Sequence, residues 1–212
     1  MLMWLSIMTA SKKRYYKKLL TAFLIIIIEA VIIIFVRLYL KSITDKNNKI
    51  INETVMTDKF IREDIKYFPI PIKYKNEVTF EDSFGAYRSG GTHEGCDIMD
   101  INNIPGRIPV ISATSGTITN IGWLYLGGYR IGITSDNGIY YYYAHLDSYA
   151  SGLKSGDKVN AGQLIGFMGN TGEGEEGTRG KFPVHLHFGI YVDTLKGKEQ
   201  AVNSYPYLYN LK

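Results

Sequence analysis

Val184-His185-Leu186-His187-Phe188-Gly189-Ile190-Tyr191-Val192 reads as a β-strand that carries two imidazoles on one face. Side chains two apart on a strand point the same way, so His185 and His187 share one side and Leu186 and Phe188 the other. A strand-borne metal or acid–base site needs that division. Outward from this stretch, five further short runs alternate or are β-branched: Ile108–Ala113, Gly116–Trp123, Tyr129–Thr134, Ile139–His145 and Gln163–Met168. Asp136-Asn137-Gly138, between two of them, is a hairpin turn signal. Most of the 22 glycines fall after Lys75 and separate the runs. With no helical pattern of about 10–15 residues between them, the runs predict an all-β domain built on an antiparallel sheet. No repeat of solenoid period is present.

All four histidines lie in this region. His93 and Asp97 are four apart in Thr92-His93-Glu94-Gly95-Cys96-Asp97-Ile98, where Gly95 argues against a helix. A loop is expected to deliver His93 and lead into a strand carrying Asp97. His145 ends the aromatic run Tyr140-Tyr141-Tyr142-Tyr143-Ala144. Each feature alone is weak: a lone His-x-His is more often an incidental surface pair, and a histidine ending an aromatic strand is usually structural. Together they use every histidine in the chain, which lifts a metal site well above those bland alternatives. Cys96 is the single cysteine, so an intramolecular disulfide framework and a Cys-rich finger are both excluded. On a strand it points away from Asp97, and burial in the core is its expected fate.

His93-x-x-x-Asp97 with Gly95 between, then Tyr143-Ala144-His145-Leu146, then Gly162-Gln163-Leu164-Ile165-Gly166, then His185-Leu186-His187-Phe188 follow in order over roughly Asp82 to Tyr191. This combination resembles the lysostaphin/LytM-type zinc metallopeptidases. The resemblance implies an antiparallel, barrel-sandwich-hybrid-like sheet holding a groove, with zinc bound by His93, Asp97 and His187. It also implies His145 and His185 as catalytic histidines, and peptide bonds of bacterial peptidoglycan as substrate. The chemistry agrees, since two imidazoles and one carboxylate leave a fourth position open for water, the catalytic type of zinc site. A metal-activated water needs no Ser or Cys nucleophile. Two departures stand out: the family's usual Pro before His-x-His is Val184, with Pro183 one place earlier, and its frequent acid after Phe is Gly189. The segment Thr171–Gly180 is also long, and reads either as a flap beside the groove or as a solvated Gly/Glu loop.

Leu19–Val36 reads LLTAFLIIIIEAVIIIFV, with Glu29 its one charge. As a helix it spans roughly 27 Å, close to a bilayer core. Lys12, Lys13, Arg14, Lys17 and Lys18 before it outnumber Arg37 and Lys41 after it. The positive-inside rule then holds residues 1–18 in the cytoplasm, anchors the chain by residues 19–40 in the cell membrane, and sends the rest outside. Arg37-Leu38-Tyr39-Leu40 offers no small-residue cleavage site, against a signal peptide. Glu29 reads equally as a polar contact with another membrane helix or as a tolerated lone carboxyl. Residues 41–75 are expected to form an extracytoplasmic stalk, with a short amphipathic helix near Asp58–Ile65 ended by Pro69 and Pro71, and residues 76–212 the catalytic domain.

Composition closes off other classes. Hydrophobic residues make up 45% and charged residues 21%, which fits neither disorder nor a multi-span membrane protein. The net charge of +4 is concentrated at the N-terminus, so no nucleic-acid footprint is indicated. Two rivals remain. A non-enzymatic, membrane-anchored scaffold of the same fold would dock a membrane or cell-wall protein partner, as in sporulation, and the complete ligand set argues against it. A biotin- or lipoyl-carrier hairpin is suggested by Ser155–Gly166, but Asp157-Lys158-Val159 lacks the modifiable-lysine turn.

Overall fold

The computed structural model describes residues 9–88, 91–193 and 199–212. Residues 1–8 of the segment assigned to the cytoplasm lie outside the described residues. The chain divides into two compact units, Met1–Val55 and Met56–Lys212.

The first unit is the greater part of one helix, α1 (Ala10–Asp64), which includes the apolar run. Side chains from Leu19 to Val36 are exposed, and the helix is long and apolar enough to cross a membrane. An anchor and a separate short helix were expected; α1 joins them. The reason is local: Lys41–Tyr67 contains neither Gly nor Pro, so nothing interrupts the hydrogen-bond ladder until the segment before Pro69.

The second unit is antiparallel β, as the alternating runs predict. Its main sheet has the order β1 (Val78–Phe80), β4 (Cys96–Asp100), β11 (His185–Asp193), β8 (Tyr140–Tyr149), β7 (Gly128–Thr134), β6 (Gly116–Leu124), β9 (Lys158–Val159). β10 (Leu164–Met168) pairs with β8 and with β5 (Pro109–Ile111), and β12 (Glu199–Val202) adds to β11. A separate ribbon pairs β2 (Tyr87–Arg88) with β3 (Gly91–Thr92), and α2 (Tyr205–Tyr209) follows β12. The β7–β8 turn falls at Asp136-Asn137-Gly138, where Gly138 takes a φ of 79°. All six runs read from sequence are strands, shifted by a few residues at their ends.

Alternation decides which side chains build the core. Leu186, Phe188 and Ile190 of β11, Tyr141 and Tyr143 of β8, Ile131 and Ile133 of β7, and Cys96 and Ile98 of β4 are all fully buried. Tyr143 crosses this core, packs edge-on against Phe188 at 5.2 Å between centroids, and accepts a 2.8 Å hydrogen bond from the Ala113 amide. The opposite faces of the same strands carry His185, His187, Tyr142 and Asp97 to a groove. Cys96 lies in the core beneath Asp97, and burial, reinforced by the nearby Asp97 and Asp82 charges, pushes its thiol up to about 12.

Residues 56–75, read from sequence as the end of the stalk, pack into this unit. Ile61, Ile65, Phe68 and Ile70 are buried in the same core. Asp64 accepts hydrogen bonds from Ser135, Asn137 and Tyr141, and Asp58 accepts one from the Tyr207 hydroxyl at 2.8 Å. Each buried apolar side chain is worth about 1.5–3 kcal/mol, so four of them approach the whole stability of an ordinary domain, about 5–15 kcal/mol. A chain begun at Met56 is therefore expected to melt cooperatively, and one begun at Asn76 is expected to lose its cooperative transition. Equal melting curves for the two would show that the helix end only rests on the sheet.

Candidate metal and catalytic site

The antiparallel register of β11 with β4 places His187 opposite Asp97, and His93 arrives from the loop after β3. His93 Nε2 lies 2.9 Å from His187 Nδ1, and both lie 3.0 Å from Asp97 Oδ1. The three donor atoms make a nearly equilateral triangle. Ligand atoms on a tetrahedral zinc stand roughly 3.3 Å apart, so the triangle fits such an ion with little adjustment. The donor set of two imidazoles and a carboxylate also suits it. Asp97 Oδ2 accepts a 2.9 Å bond from Arg88, which fixes the carboxylate plane. Burial opposes the charge on Asp97, yet hydrogen bonds from His187 and His93 hold its carboxyl well below the usual range. For His93 burial pulls downward, and the Asp97 contact outweighs it, so the net direction is up.

Gly95 makes this triangle possible. A Cβ built on it would stand 2.6 Å from the Phe188 carbonyl oxygen and 2.7 Å from the His187 ring. Only a residue without a side chain lets the His93–Asp97 loop close over β11.

Backbone carbonyls set the tautomers of three histidines. Nδ1–H of His93 donates to Ser83 O at 2.9 Å, that of His185 to Pro183 O at 2.8 Å, and that of His145 to Thr171 O at 2.8 Å. A carbonyl only accepts, so Nδ1 carries a proton in each ring, and in the neutral imidazole Nε2 keeps the lone pair; His93 in the charged form that Asp97 favours donates from Nε2 as well. For His93 that lone pair faces the metal triangle; His185 Nε2 is 3.8 Å from Asp97 Oδ1. The His145 and His185 rings lie 4.6 Å apart, and Phe182 packs against both. Burial, reinforced by the neighbouring His185, pushes His145 down to about 3. Burial also lowers His185, against the pull of Asp97. Both shifts favour the neutral imidazole, which keeps an acceptor nitrogen on each ring.

His145 reaches this position through an irregular backbone. Its φ is 61°, in the left-handed region that few non-glycine residues adopt. The ladder between β7 and β8 shifts register at the same point, and the His145 amide bonds to Gly127 O at 2.8 Å. This is a bulge that re-aims one side chain into a groove.

The Thr171–Gly180 segment is tied down on both sides. Thr171 pairs with Arg179, Thr171 Oγ1 donates to Leu146 O at 2.7 Å, and Trp123 Nε1 donates to Gly174 O at 3.1 Å. Glu173 from this segment lines the groove, whose volume is about 1360 Å³. That is more space than a small-molecule pocket and suits a stretch of polymer.

The structure thus brings together all five residues singled out from sequence: His93, Asp97, His145, His185 and His187. Sequence reading missed Arg88, and it missed the carbonyls of Ser83, Thr171 and Pro183, which have no side-chain signature. Pro183, one place early for the usual pattern, is the residue that orients His185.

Residues 91–204 match Peptidase family M23. The L-Ala–D-Glu endopeptidase of Bacillus subtilis (strain 168) is 40% identical over 144 residues, covering 66% of this chain and 42% of that protein. Lysostaphin of Staphylococcus simulans is 36% identical over 123 residues, covering 57% of this chain and 22% of that protein. The chain therefore spans less than half the length of these curated relatives. Among solved structures, one described as a glycyl-glycine endopeptidase LytM from Ruminococcus gnavus ATCC 29149 has a TM-score of 0.65 at 50% identity, covering 72% of this chain and 63% of that one. The catalytic domain of lysostaphin from Staphylococcus simulans has a TM-score of 0.51 at 31% identity, covering 66% of this chain and 98% of that one. The matched residues hold His93, Asp97, His145, His185 and His187, and with the antiparallel sheet beneath them they place the chain in peptidase family M23.

Proposed function

We propose that the chain is a zinc-dependent endopeptidase that hydrolyses peptide bonds in peptidoglycan stem peptides or cross-bridges. The triangle of His93, Asp97 and His187 at the floor of a polymer-sized groove carries this reading. These three residues would hold the ion. When bound, it supplies Lewis acidity for the scissile carbonyl and lowers the pKa of a water to about 7.

The chain's own residues do the rest. In the neutral form His185 and His145 keep Nε2 free to take a proton and return it to the leaving amine. The Pro183 and Thr171 carbonyls stabilise each imidazolium while it carries that proton. Phe182 excludes water from one side of the pair. Arg88 holds the Asp97 carboxylate in place throughout.

The name of the Bacillus subtilis relative, an L-Ala–D-Glu endopeptidase, supports a peptide substrate. The length and apolar run of α1 support a single membrane anchor, and the basic cluster Lys12, Lys13, Arg14, Lys17 and Lys18 before it supports an N-terminus in the cytoplasm with the β unit outside. Digesting purified muropeptides with the full chain and weighing the products is expected to give fragments cut at one type of peptide bond. Intact muropeptides beside normal zinc content would leave a scaffold that docks a protein partner. A reporter fused after Lys212 is expected to be active outside the cytoplasm; protection of that end inside intact membranes would reverse the orientation.

A further inference from the structure

Arg130 stands on β7 in the groove wall, half-buried, and its Nη1 is shielded from solvent with no hydrogen-bond partner among the described residues. Nη1 is closed to a ligand as it is to water, but no carboxylate pairs with Arg130 among the described residues, so where the side chain lines the groove its charge is unpaired. Arg88, the other arginine of the groove, is engaged by Asp97 at 2.9 Å. Arg130 is therefore the cation placed to meet a ligand.

Register fixes where that ligand group lies. Across the β7–β8 irregularity Tyr129 faces Leu146 and Ile131 faces Tyr143, so Arg130 stands level with Ala144 and His145. Ala144 in turn faces His187 on β11. Two strand spacings separate Arg130 from His187, roughly 10 Å, or about three residues of extended peptide. The floor between is made by tyrosines lying over glycines. A Cβ on Gly132 would stand 2.0 Å from the Tyr140 hydroxyl, and one on Gly127 2.2 Å from that of Tyr142. Elsewhere the groove is acidic, with Glu94, Glu173 and Glu199 along it. Among these acids Arg130 is the arginine of the groove that no carboxylate engages among the described residues, so an acidic side chain of a bound peptide is favoured there over the rest of the wall.

We propose that Arg130 is a specificity-determining residue that binds the carboxylate of an acidic residue one to three positions from the bond that is cut. The inference rests on the peptidase reading above for its substrate being a peptide. Guanidinium and carboxylate pair through two parallel N–H···O bonds, which a carboxamide cannot match in charge or acceptor number.

The test uses the full chain in detergent micelles and two synthetic peptides. One contains L-Ala–D-Glu with a free carboxylate; its twin carries the primary carboxamide there. With metal removed so that nothing is cut, the carboxylate peptide is expected to bind about 10–100-fold tighter than its twin, the range of a charge-assisted pair. Arg130→Gln should bring the two within about threefold, and Arg130→Lys should keep part of the difference. Equal binding of both peptides by the unaltered chain, binding of neither, or an unchanged preference in Arg130→Gln overturns the proposal. Metal-loaded turnover separates it from the peptidase reading. Preferential binding with neither peptide cut sinks the peptidase and leaves the carboxylate site standing. Equal binding and equal cleavage of both does the reverse.

Discussion

His187→Ala is expected to give a protein without stoichiometric zinc and without peptide cleavage, while His185→Ala keeps its zinc and loses about 10²–10⁴-fold in rate. The two residues are indistinguishable on the strand: both project from the same face of β11, two apart. Geometry separates them. His187 Nδ1 lies 3.0 Å from Asp97 Oδ1 and 2.9 Å from His93 Nε2, whereas His185 presents Nε2 at 3.8 Å from Asp97 Oδ1 with its Nδ1–H spent on Pro183 O. Losing one of three protein ligands from an open site removes most of the affinity, because water donates far more weakly than imidazole. Losing a proton carrier leaves the metal in place. Asp97→Ala should therefore follow His187→Ala, and His145→Ala should follow His185→Ala. Zinc per chain by elemental analysis, beside cleavage rate, reads all four. Retention of metal by His187→Ala with its loss from His185→Ala would reverse the roles.

The second large effect comes from a residue that touches neither metal nor substrate. Gly95→Ala places a methyl 2.6 Å from the Phe188 carbonyl and 2.7 Å from two atoms of the His187 ring. The carbonyl belongs to the β4–β11 ladder, in which Phe188 faces Cys96, so it cannot swing aside as a flexible side chain can. Either the loop carrying His93 lifts or His187 rotates; both open the triangle. Loss of support around a metal ligand typically costs 10–100-fold in affinity, and a drop of that size in zinc binding is expected here, together with a lower melting temperature. Gly138→Ala is the matched control. Its φ is 79° and nothing lies within 4 Å of the new methyl, so about 1 kcal/mol of stability should be lost with zinc binding unchanged. Normal zinc affinity in Gly95→Ala would mean that the triangle tolerates displacement and that Gly95 serves only the turn.

Much of this is legible in the sequence. Period-two alternation in Val184–Val192 and Ile139–His145 decides which residues form the core and which face the groove, and the burial of Phe188 and Tyr143 follows it directly. The histidine set was legible because its members together use every histidine in the chain, although each local pattern alone is weak. What escaped were features whose partners are distant or carry no side chain. The Thr171 carbonyl meets His145 from 26 residues away. The positive φ of His145 has no glycine to announce it. Ile61 and Ile65, four apart, declared an apolar helix face, but not that this face completes the β core. β12 and α2 are short segments with no strong periodicity, and they were not foreseen.

The central claim is that one zinc, held by His93, Asp97 and His187, makes this chain a peptidase. Stripping the full chain with chelator and titrating zinc back, while following muropeptide cleavage, tests it most directly. Cleavage is expected to vanish on stripping and to return in proportion to bound metal, reaching its plateau at one zinc per chain. Undiminished cleavage by a chain shown by elemental analysis to be free of metal would contradict the account.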